Sequence, residues 1–95
     1  MQIPKSIKVG GITYQVKESE RLSLGENYNA EIDYQKAVIE IQKSLEKQVA
    51  QRSFLHEVIH AIYSELGYSE HDEKQIDELA GAFFQLIVDN PAMFK

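Results

Sequence analysis

Residues 44–67 read SLEKQVAQRSFLHEVIHAIYSELG, and the period of this stretch decides the fold. Leu55, Val58, Ile59, Ile62 and Leu66 recur at i, i+3, i+4, i+7 and i+11, which is one apolar stripe along a helix. Ser44 is placed to cap the start of that helix, and Glu46 falls in the first turn, where an acid suits the helix dipole. Gly67 stands where a glycine just past the last turn ends a helix.

The period changes on both sides of this segment. Upstream, Ile7, Val9, Ile12, Tyr14 and Val16 alternate with polar neighbours around Gly10-Gly11, a pair suited to a two-residue hairpin loop with positive φ. Gly25-Glu26-Asn27 marks a second turn. Beyond it Ile32 and Tyr34 alternate, and Val38-Ile39-Glu40-Ile41 is rich in β-branched residues. Two hairpins are expected, forming a small antiparallel sheet of about four strands. Downstream, Tyr68 to Lys74 reads as a polar connector. Ile76, Leu79, Ala80, Phe83, Leu86 and Ile87 then mark a second helix, which Asn90-Pro91 stops. The expected fold is α+β within one domain over residues 1–95, with a sheet over 1–43, a helix over 44–67 and a second helix over 73–90.

Composition bounds the chemistry. With 95 residues and 43 % of them hydrophobic, the chain can build one small core. Having no cysteine, it has no thiolate ligands, so any metal must sit on imidazole and carboxylate. The net charge of −5 argues against nucleic acid as a partner, since that binding runs on neutralising phosphates with Lys and Arg. The acidic excess falls in residues 51–95, where Arg52, Lys74 and Lys95 face eight acids, and all three histidines lie in the same half. No segment approaches the ~18 apolar residues of a membrane span, and the opening residues do not resemble a signal peptide, so a cytoplasmic location is expected.

His56-Glu57-Val58-Ile59-His60 is an H-E-x-x-H sequence inside the strongest helical pattern. The i, i+4 spacing sets both imidazoles on one face, one turn apart, where they can converge on a single ion. Chance alone yields such a match in about one sequence of this composition in a hundred, so its place on an amphipathic helix is what gives it weight. Two histidines, a carboxylate and an open water position make a catalytic zinc arrangement, because a structural site closes the fourth place. Glu57 is then the general base for a water whose pKa the metal lowers toward ~7.

A third ligand is needed. An extended motif ending in a third histidine requires glycine at 63 and histidine at 66, but these positions hold Tyr63 and Leu66. A carboxylate from the second helix remains. Asp77 shares a stripe with Ala80, Gly81, Phe84 and Val88, an inward and open face. Glu78 shares one with Lys74, Ala82, Gln85 and Asp89, a wetter face. Asp77 is the favoured third ligand and Glu78 the alternative. His71, in the connector, is a candidate to stabilise the oxyanion, as are Tyr63 and Tyr68. Tyr28, Tyr34, Phe83 and Phe84 are expected as core or sheet-facing aromatics.

The H-E-x-x-H segment together with Asp77-Glu78-Leu79-Ala80-Gly81-Ala82-Phe83 resembles the small phage- and prophage-encoded metallopeptidases of the ImmA/IrrE-like zincin group. The resemblance is specific over roughly residues 51–90. It implies a minimal zincin-like domain that binds zinc through His56, His60 and an acid three residues before an alanine, which is Asp77 here. It also implies Glu57 as base and a peptide or protein substrate. The group more often has Glu in place of Asp77 and an asparagine in place of Gly81, and its larger members carry a helix-turn-helix that is not expected in this chain. The competing expectation is a catalytically idle zinc-binding module that holds a phage or host protein.

Overall fold

A computed structural model describes residues 1–20, 22 and 28–94. Strands β1 (Ser6–Val9), β2 (Ile12–Ser19), β3 (Ala30–Asp33) and β4 (Val38–Gln42) precede helices α1 (Lys47–Glu65) and α2 (Glu73–Asp89) and a 3-10 turn at Pro91–Phe94. The architecture is α+β, as its periodicities indicate. Gly10 and Gly11 close the first hairpin at φ +59° and +86°, so Val9 faces Ile12 across a two-residue loop. The Gly25-Glu26-Asn27 turn lies outside the described residues.

Both hairpins are antiparallel, but the seam between them is not. The sheet order is β1-β2-β4-β3, and β2 runs parallel to β4, with Val16 beside Ile39. The sheet is therefore mixed rather than wholly antiparallel. The chain leaving β2 passes β4's place, so β3 becomes an edge strand and β4 lies inside. Burial follows this order, since Ile39 and Ile41 of β4 are buried while β1 and β3 keep exposed positions.

Helix α1 begins later than Ser44. Glu46 is its N-cap, with Oε1 accepting from the backbone N–H of Gln48 at 2.8 Å and of Val49 at 3.2 Å. The helix ends as the glycine indicates. Gly67 has φ +95°, its N–H bonds to the Ser64 carbonyl, and the Tyr68 N–H reaches the Tyr63 carbonyl, both at 3.1 Å. That pair of bonds is a Schellman cap.

Two faces of α1 are covered, which explains why the apolar stripe read from sequence accounts for only part of its burial. Phe54, Val58 and Ala61 pack on Tyr14, Ala30, Ile39 and Ile41 of the sheet. Ile59 turns the other way, onto Ile76 and Ala80 of α2. Ile62 and Leu66, at the stripe's far end, stay exposed. Helix α2 starts with Asp72 as N-cap, packs on α1 and buries only Ile76 and Ala80, so Phe83 and Leu86 remain exposed. Tyr28 and Tyr34, expected in the core or against the sheet, are exposed as well. Among the described residues no helix is long and apolar enough to cross a membrane.

Candidate metal centre

The edge strand β3, helix α1 and the first turns of α2 enclose an open groove of about 980 Å³. On one wall are Tyr28 to Ile32 and Tyr34, on the other Arg52, Ser53, His56, Glu57 and His60, with Glu73 and Asp77 at the far side. The helical period of α1 sets His56 and His60 one turn apart, with ring centroids 5.0 Å from each other. The His60 side chain is 10 % exposed and that of His56 is 21 % exposed, so both rings are held by packing while keeping an edge toward the groove.

Glu73 reaches both rings. Its Oε1 is 2.8 Å from His60 Nε2, and its Oε2 is 3.1 Å from His56 Nε2. One ligand atom from each of His56, His60 and Glu73 lies within 4.8 Å of the others. Ligands bound tetrahedrally at zinc distances of 2.0–2.2 Å stand about 3.3–3.6 Å apart, inside that limit. The donor set of two imidazoles and one carboxylate suits zinc, so the residues fit such an ion.

Asp77 does not complete this trio. Its Oδ1 is 3.4 Å from His56 Nδ1, the far nitrogen of that ring, and its Oδ2 is 3.7 Å from Arg52. Glu78 is exposed and does not line the groove. Glu73, Asp77 and Gly81 share one face of α2 at intervals of four residues, and the carboxylate that meets both histidines lies one turn before Asp77. Glu73 opens α2 directly after the Asp72 cap, at the boundary where the polar connector and the expected helix overlap in sequence. The acid placed one turn before Asp77 on an open face was the available signal. A Cβ at Gly81 would meet the Arg52 guanidinium at 2.8 Å, so a side chain there would displace the flexible end of Arg52.

His71 stands behind His60 rather than over the groove. Its Nδ1 is 2.7 Å from His60 Nδ1 and its Nε2 is 3.0 Å from the Tyr68 carbonyl oxygen, so both nitrogens are engaged away from any oxyanion. Tyr34 lines the groove, as Tyr28 does, and lies near Glu57 and Glu73. Burial, with the nearby Glu57, Tyr14 and Glu73 adding to it, pushes its phenol up to about 12, so it remains a neutral hydrogen-bond donor. The β3–β4 loop sets it there, with the Lys36 N–H bonded to Asp33 Oδ1 at 3.0 Å and Ala37 at φ +54°. Tyr34 escaped the sequence reading because alternation assigns a face and not a neighbour across the sheet.

Glu57 is buried beside the histidines, and that burial raises its carboxyl to about 7. His56 opposes the shift, while Glu73 and Glu31 reinforce it. Burial lowers the pKa of His60 in spite of Glu73, with His56 and His71 adding to the lowering. A carboxyl whose folded pKa is raised carries no penalty below its ordinary value of 4.5, and the penalty accumulates as pH rises toward about 7. Metal-free protein should therefore lose stability over that window relative to Glu57→Gln, whose amide cannot ionise. Equal slopes for both proteins in urea melts between pH 4.5 and 7 would show that Glu57 ionises freely.

Compared with known proteins, the chain matches no protein-family model, no curated protein and no solved structure.

Proposed function

We propose that the protein is a zinc metallopeptidase in which His56, His60 and Glu73 hold the metal and Glu57 is the general base. The observation that carries this reading is the convergence of three ligand atoms from two helices, with a buried carboxyl of raised pKa beside them in an open groove. Zinc held by these three residues would supply Lewis acidity and an acidified water. Glu57 would act as the base at its carboxylate, accepting a proton from the attacking water and passing it to the leaving amine. Tyr34 is placed to donate to the developing oxyanion.

The edge strand offers a track for the substrate. The Gln42 N–H bonds to the Asn29 carbonyl at 2.8 Å, so Asn29 and Glu31 turn their backbone groups toward β4. By alternation Ala30 and Ile32 turn theirs outward, along the groove. An extended peptide adding to β3 would draw its main-chain hydrogen bonds from those two residues and lie across the His56–His60 face. The resemblance to the ImmA/IrrE-like group supports a protein substrate.

Because the ligands come from α1 and α2, zinc would add a tie to two helices that already pack through Ile59, Ile76 and Ala80. Zinc in hundredfold excess over its Kd stabilises by about 2.7 kcal/mol. In a domain of this size that raises Tm by roughly 10–20 °C. Thermal melts with zinc and with chelator test this, and a Tm that neither reagent moves contradicts the site. Protons compete for His56 and His60, so the zinc-dependent rise should shrink as pH falls below neutrality.

A further inference from the structure

The histidine behind the site determines which nitrogen His60 offers to a ligand. His71 Nε2 lies 3.0 Å from the Tyr68 carbonyl oxygen, and a carbonyl oxygen only accepts, so His71 Nε2 carries a hydrogen. A neutral imidazole carries one hydrogen, which leaves His71 Nδ1 as a lone pair. With both rings neutral, His60 Nδ1, 2.7 Å away, donates to it. His60 Nε2 is then a lone pair, and it faces a Glu73 oxygen at 2.8 Å. Two acceptors so close leave a place for a cation between them.

We propose that His71 is a positioning residue that locks His60 in its Nδ1–H form and so presents a bare Nε2, opposite Glu73, to a divalent cation. The proposal rests on the metal-centre reading above and extends it by one residue outward. The chain of bonds has a rigid anchor. The acceptor at its end is the carbonyl of Tyr68, whose own N–H is tied to Tyr63 in the Schellman cap that Gly67 makes possible. The His71 ring is stacked on His60, with centroids 5.0 Å apart and planes inclined by 23°. Tyr63 meets its edge at 5.5 Å. The end of α1 thus supports a ligand borne by the same helix one turn earlier. Asp77 stands in the same relation to His56, near its Nδ1, so each imidazole has a partner behind it and Glu73 in front.

Nitrogen-15 spectra of histidine-labelled, metal-free protein near pH 8 read the tautomer directly. The expected result is His60 protonated at Nδ1 and bare at Nε2 in the wild type. In His71→Leu the hydrogen is expected to move toward Nε2, where Glu73 accepts it. Zinc titration supplies the second readout. His71→Leu should weaken binding about 10–100-fold, as loss of an outer partner does elsewhere. His71→Asn places an amide oxygen where Nδ1 stood and should recover most of that loss. A wild-type His60 protonated at Nε2, or an Asn variant as weak as the Leu variant, overturns the proposal and leaves His71 a packing residue. Wild type that takes up no zinc overturns the metal-centre reading itself, and the tautomer of metal-free His60 still decides the part played by His71.

Discussion

Glu57→Gln is expected to lower peptide hydrolysis by about 10²–10⁴-fold, the usual contribution of a positioned acid–base group, while zinc stays bound. The two side chains have nearly the same shape, so the buried pocket that holds Glu57 remains filled. What the amide lacks is the capacity to take a proton from the attacking water and release it to the amine. Glu57 is not among the three residues whose ligand atoms converge, so the metal content should not change. Its surroundings suit a base whose ionisation a nearby cation favours. Burial raises the carboxyl to about 7 in the metal-free site, and a nearby dication reverses that penalty. The measurement is turnover of an unfolded protein substrate, with zinc counted in both proteins. Unchanged turnover in the variant would place the base elsewhere. Zinc bound by a wild type without hydrolysis would identify an idle module that holds a partner.

The second large effect concerns the third ligand. Glu73→Ala removes a carboxylate that touches both imidazoles at 3.1 Å or less, and zinc affinity should fall more than about a hundredfold, beyond the cost of losing an outer partner. Asp77→Ala removes a group 3.4 Å from the far nitrogen of His56, and its loss should cost about 10–100-fold. Glu78→Ala, on an exposed position outside the groove, should leave zinc binding unchanged. The order Glu73, Asp77, Glu78 is the result that distinguishes the structure from the sequence reading, which puts Asp77 first. Titration of zinc against a competing chelator gives the three affinities on one scale. A larger loss for Asp77→Ala than for Glu73→Ala would reverse the assignment.

The sequence carries more of this site than of the sheet, for physical reasons. The H-E-x-x-H spacing fixes two side chains on one helix face whatever surrounds them, because both belong to one rigid element. The end of α1 is equally local, since one glycine at positive φ with two backbone bonds defines it. The third ligand depends on how two helices slide along each other. Periodicity gives the facing side of α2, and Asp77 and Glu73 share it. The axial position is set by the cap at Asp72 and by the packing of Ile76 and Ala80 on Ile59.

Sheet order is less local still. Alternation tells which residues face the core, and Tyr14, Ile39 and Ile41 do so. It does not tell that β4 slips between β2 and β3, because that depends on the path of the chain between the hairpins. The start of α1 was misplaced by two residues for a different reason. Ser44 has the better capping side chain by type, yet Glu46 reaches two amide hydrogens from the position the turn supplies. The role of His71 is legible only in three dimensions, since it follows from which atom of one ring faces which atom of another.

The central claim is that this chain holds one metal ion on His56, His60 and Glu73. Elemental analysis of protein purified without a histidine tag tests it most directly. One zinc per chain is expected, retained through gel filtration and removed by chelator. Protein with no metal, even after zinc is added back at neutral pH, would contradict it and leave the cluster as three side chains hydrogen-bonded to one another.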